Sequence, residues 1–190
     1  MFAFSLTMPM NLELAVPLLA TAPSPALLRD LKSPKQFDDL APFIDKAAFY
    51  LLEPAYKDND LLLHRKAQLL IDDHELEQAM AVLSSFDTVL AEGLMSRAMA
   101  RAKAWSVVRL YTQDYSNWSK ARCLSLASPE QEGLVYLYES AFYAALEDKN
   151  LDYAAFLLSR AAYLATELEL GNTLSQLETN RLTLLSLSET

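Results

Sequence analysis

The sequence predicts an all-α protein, a stack of antiparallel helical hairpins with a covering helix at each end. Three observations carry that reading. Hydrophobic residues make up 52% of the 190 residues while glycine supplies only three, which suits neither a disordered chain nor a turn-rich β fold. From residue 33 onward the apolar positions recur at helical spacing. The polar breaks between those runs carry helix start and stop signals.

The first covering helix is expected over 34–52. Ser33-Pro34-Lys35-Gln36 supplies an N-cap, a proline at the first helical position and a capping-box glutamine. Phe37, Leu40, Ala41, Ile44, Ala48, Leu51 and Leu52 then form one stripe, and Glu53-Pro54 ends it. Three hairpins follow, at about 58–92, 94–127 and 129–170. Their leading helices are the apolar runs 61–71, 94–111 and 130–146, the last opened by Ser128-Pro129-Glu130-Gln131. Thr173-Leu174-Ser175-Gln176 opens a closing helix at 173–187. Residues 33–190 thus read as one domain behind an apolar, proline-containing arm, 1–32.

The three elbows are placed by comparing 71–83, 112–124 and 146–158. Each has a polar turn, a large apolar residue (Leu76, Trp118, Leu151) and an alanine three positions later (Ala79, Ala121, Ala154), the alanines 42 and 33 residues apart. This pattern resembles tetratricopeptide-type repeats, which run about 34 residues and place small residues where their helices cross. Leu63, Ala67 and Leu70 match the leading helix of that family. Trp105 takes the early large position of the second unit, while Arg109 and Phe142 stand where the family has a small residue. The resemblance implies an α-solenoid whose leading helices line a groove for a peptide or partner protein. The positions at which some members hold a peptide carboxylate with Lys and Asn are here His64, Gln68, Val107, Tyr136 and Ser140, so that clamp is not expected.

In the arm, Phe2, Phe4, Leu6 and Met8 alternate with smaller residues at a strand period. Ala20-Thr21-Ala22 has the form of a signal-peptidase site. No Lys or Arg precedes it, however, and Glu13, Pro9 and Pro17 interrupt the apolar run. No stretch reaches the ~18 apolar residues of a membrane span.

Chemical signatures are sparse. Asp72-Asp73-His74-Glu75 has metal-binding residue types, but no second cluster completes a shell. The same residues suit an elbow whose acids cap the following helix. Cys123, the single cysteine, excludes an internal disulfide and lacks a nearby base in sequence; it is expected as a small buried residue in a reducing, cytoplasmic setting. Gly93, Gly133 and Gly171 are isolated and form no phosphate loop. No catalytic residue, metal or cofactor is therefore expected, and the chain is not read as an enzyme.

A net charge of −9 argues against nucleic acid as a partner. Yet 94–129 holds six cations and one acid, leaving −14 for the rest. Arg97, Arg101, Trp105 and Arg109 step by four along the predicted helix 94–111, forming a basic, aromatic face. That face is a candidate partner-binding site; alternatively its cations pair with the acidic hairpins beside it. Tyr136, Tyr143 and Tyr153 fall off the core stripe of Leu134, Leu137, Tyr138, Ala141, Phe142 and Ala145, and complete the candidate surface. The expected function is an adaptor, chaperone or assembly factor. A structural subunit of a homo-oligomer, joined through the arm, is the alternative, and a small-molecule sensor or enzyme comes last.

Overall fold

The computed structural model describes residues 53–188 together with Lys35, Phe49 and Tyr50. The arm and most of the first covering helix lie outside the described residues. Within them the chain is all helical: α1 (Glu53–Tyr56), α2 (Asp60–Asp72), α3 (Leu76–Leu83), α4 (Val89–Arg101), α5 (Trp105–Thr112), α6 (Lys120–Leu124), α7 (Ser128–Glu147), α8 (Leu151–Glu167) and α9 (Gly171–Ser188). No described helix is long and apolar enough to cross a membrane.

Four tight turns organise these helices, and all four are the same. His74, Lys103, Lys149 and Glu169 each adopt positive φ, between 55° and 64°, directly after a helix. In each, the next amide donates back across the turn: Glu75 to Leu70, Ala104 to Met99, Asn150 to Ala145 and Leu170 to Ala165. The left-handed residue itself donates to Ile71, Ala100, Leu146 or Thr166. This is the Schellman pattern, which satisfies the last carbonyls of a helix before the chain reverses. It joins α2 to α3, α4 to α5, α7 to α8 and α8 to α9.

The second elbow therefore lies at 102–104 and not within 112–124. The apolar run 94–111 is two helices, broken at Lys103. Counted from the left-handed residues, the equivalents of Ala79 are Val108 and Ala154, all three fully buried. Ala67, Ser96 and Phe142 likewise share one offset, and all are buried. The small crossing residue of the second hairpin is Ser96, and Arg109 sits on the outer helix.

Helices α2, α4 and α7 lie side by side and run the same way. Asp72 at the end of α2 reaches Arg97 and Arg101 near the end of α4. Glu130 Oε2, at the start of α7, accepts from the Val89 amide at the start of α4 at 2.7 Å. One turn on, α4 and α7 touch backbone to backbone. A Cβ on Gly93 would lie 2.3 Å from the Gly133 carbonyl oxygen, and one on Gly133 would lie 2.4 Å from that of Val89. No side chain fits at either position.

Helix α7 is the centre of the molecule. Every residue from 132 to 142 is buried, as expected of a helix enclosed on all sides. One core joins α7 to α8, α9 and Cys123 of α6; the other joins α2, α3 and α4 around Leu70, Ile71, Leu83 and Leu94. Tyr136 of α7 belongs to the second core, tying the two together.

Candidate functional site

Because α7 is enclosed, its polar residues are buried with it, and they form a line through the molecule. Glu132 lies on Arg65 of α2 in a two-pronged ion pair, Nη1–Oε1 at 2.6 Å and Nη2–Oε2 at 2.5 Å. Both side chains are 3% exposed. The Tyr136 hydroxyl donates to Glu132 Oε1 at 2.7 Å, and Gln68 accepts from Arg65 at 2.6 Å. Burial acts against the Arg65 charge, but Glu132 outweighs it and raises the guanidinium pKa. Burial and the Glu132 charge push the Tyr136 hydroxyl pKa up.

Arg97 of α4 continues the line, 5.1 Å over the Tyr136 ring. Burial opposes its charge too; Glu139, Tyr136 and Asp72 overcome that and raise its pKa. Glu139 in turn accepts from Asn180 of α9 at 3.1 Å, and the Tyr143 hydroxyl donates to Asn180 Oδ1 at 2.8 Å. The two buried acids of α7, Glu132 and Glu139, thus engage Arg65 of α2, Arg97 of α4 and Asn180 of α9 and hold those helices in place.

The line surfaces in a cleft of about 370 Å³ beside the α4–α5 elbow. Arg97, Arg101, Lys103 and Trp105 form one side, and Tyr143 with Gln176 of α9 the other; Glu139 and Ser140 lie deeper on α7. A second cleft of about 250 Å³ lies between α5 and α7, with Arg109, Gln113, Asp148 and Tyr153 at its edge. The larger of the two lies at the lower end of the size range of small-ligand pockets.

The candidate residues thus fall in two clefts, not on one helical face. Arg97 and Arg101 end α4, Trp105 and Arg109 belong to α5, and the left-handed Lys103 separates the pairs. Tyr136 is 1% exposed and is no surface residue: it hydrogen-bonds the buried carboxylate. Tyr143 is half-buried and offers its ring, since its hydroxyl is engaged by Asn180. Tyr153 is exposed and stacks on Phe156. Part of the basic face is internal glue: Arg97 and Arg101 each stand 3.5 Å from Asp72, and Arg109 pairs with Asp148 at 2.6 Å.

Asp72-Asp73-His74-Glu75 is the first elbow. Glu75 stands at the N-cap of α3 but its carboxylate caps no backbone amide and accepts instead from Gln78 Nε2 at 3.0 Å, and the Asp72 carboxylate turns to the arginines of α4. The other histidine, His64, is buried against Phe86, its Nδ1 2.5 Å from the Asp60 carbonyl oxygen. Cys123 is buried, its Sγ 3.5 Å from the Tyr138 hydroxyl, whose pKa is pushed up to about 12 by burial and that contact.

Of the larger cleft, reading the sequence residue by residue found Arg97, Arg101, Trp105 and Tyr143 as binding candidates and missed Ala100, Lys103, Glu139, Ser140 and Gln176. Lys103 belongs to the six cations of 94–129 but not to the face of Arg97, Arg101 and Arg109, and its position follows from the elbow after α4. Gln176 comes from α9, which only the tertiary packing brings there. Comparison with family models, with curated proteins and with solved structures finds no match to this chain.

Proposed function

We propose that this protein is an interaction module, a tetratricopeptide-like adaptor or assembly factor that takes a segment of a partner protein in the clefts along α5 and α7. The observation that carries this reading is the larger cleft, where cations and the Trp105 and Tyr143 rings converge beside the α4–α5 elbow. Rigid aromatic rings with Arg nearby are the residue types that dominate binding energy in protein interfaces. The polar line behind the cleft fixes its walls before a partner arrives, which lowers the ordering cost of binding. A single buried cysteine accords with work in the cytoplasm.

A homo-oligomeric structural subunit is the second reading, favoured by Leu182 and Leu185, which α9 leaves 56% and 45% exposed. Affinity capture from a lysate with wild type, Trp105→Ala/Tyr153→Ala and the distal Arg181→Ala separates the two. A specific protein held by wild type and Arg181→Ala but lost by the cleft variant supports the adaptor. The same set of proteins from all three, or only further copies of the chain, overturns it.

A further inference from the structure

We infer, resting on that reading, that the larger cleft selects an acidic segment of its partner, one carrying Asp or Glu side chains beside an apolar residue, through Arg101 and Lys103.

The four cleft-side cations of α4 and α5 differ in what already holds them. Arg97 is half-buried over Tyr136 with Glu139 and Asp72 beside it, so its charge is balanced from within. Arg109 faces the other cleft and forms a two-pronged bond with Asp148, at 3.1 and 2.6 Å. Arg101 shares Asp72 with Arg97 at a long 3.5 Å and is 42% exposed. Lys103 is exposed, and among the described residues no acid pairs with it. Glu139 and Asp72 thus stand against the two arginines, Glu139 on the floor beside Arg97 and Asp72 between Arg97 and Arg101, and the rim continues with a lysine that no described acid pairs. Within this cleft the positive charge that no acid balances lies at the rim, and the floor carries Glu139.

The rim is held in place by the backbone. Lys103 occupies the left-handed position of the elbow, with its amide donating to the Ala100 carbonyl. Trp105 follows two residues later and lines the same cleft, opposite Tyr143. A ligand seated there meets cations at its entrance and two aromatic rings within, which matches carboxylates outside and an apolar side chain inside. A basic segment would face Arg101 and Lys103, and nucleic acid would meet a chain of net charge −9.

The test uses the full-length chain and three pools of fluorescein-labelled hexapeptides built on Leu or Phe: one with Asp and Glu, one with Asn and Gln, one with Lys. Anisotropy is expected to show binding of the acidic pool alone. Arg101→Glu/Lys103→Glu is expected to weaken it by about tenfold or more, while Arg181→Glu leaves it unchanged. Binding of the acidic pool that the double variant retains, in a variant with wild-type circular dichroism and melting, overturns the assignment. Equal binding of the acidic and neutral pools, lost together in Trp105→Ala, overturns the acidic preference but leaves the groove reading standing. No binding by any pool overturns both. Probe affinity that falls as protein concentration rises assigns the cleft to a second copy of the chain, and overturns the partner.

Discussion

Arg65 and Glu132 meet as a buried, two-pronged ion pair 67 positions apart in sequence, joining α2 to α7. A buried pair of this kind positions elements more than it stabilises them, since its attraction is spent against desolvation.

Removing one partner should therefore be far worse than removing both. Glu132→Ala leaves Arg65 charged and enclosed, and should cost about 3–5 kcal/mol. Arg65→Met/Glu132→Leu/Tyr136→Phe, which also removes the hydroxyl that donates to Glu132, should lie much closer to wild type, within about 1–2 kcal/mol. Urea unfolding of the two variants checks the order; equal losses would mean that the pair supplies net stability.

The α4–α7 crossing is a second place where one atom decides. Gly93→Ala drives a methyl group into the Gly133 carbonyl, and neither helix backbone can yield cheaply. A loss of at least about 1–3 kcal/mol is expected. Gly171→Ala meets nothing within 4 Å and should change stability by less than about 0.5 kcal/mol. Thermal melts of both variants make the comparison internal.

The left-handed elbows predict a gain. Lys149 holds φ 56° at the end of α7 without a glycine's freedom. Lys149→Gly removes the side-chain clash at that φ and, after the entropy added to the unfolded chain, should stabilise by about 0.5–1 kcal/mol. Denaturant midpoints test it.

His64 gives the fold a pH dependence. Burial lowers its pKa below the ordinary value of 6.5, against the opposing pull of the Asp60 carbonyl hydrogen bond. The folded protein thus binds fewer protons at this site than the unfolded chain. Its stabilising effect is complete above pH ~6.5 and is lost as pH falls through and below that value. His64→Gln should flatten the fall in melting temperature between pH 7 and 5; an unchanged slope would place the dependence on other groups.

The all-α class was legible in the sequence because composition and helical periodicity are summed over many residues, and no single residue decides them. The elbow at Lys103 was not legible. Its left-handed residue is a lysine where glycine is the usual signal, and apolar residues continue on both sides, so 94–111 reads as one helix. Tyr115-Ser116-Asn117, rich in turn formers, drew the elbow to a loop that only connects α5 to α6. Tyr136 was misplaced for a related reason: a helix buried on every side has no outer face, so distance from an apolar stripe says nothing about exposure. The two clefts were half legible. Their residue types were visible, but the break at Lys103 decides which cations share a cleft.

Hydrogen exchange of the full chain, with and without the protein it captures, tests the central claim most directly. Slowed exchange is predicted for amides in 97–109 and 139–143, on both sides of the α4–α5 elbow, with α3 unchanged. Slowed exchange confined to α3 or to the last turns of α9, with the elbow unaffected, would contradict it.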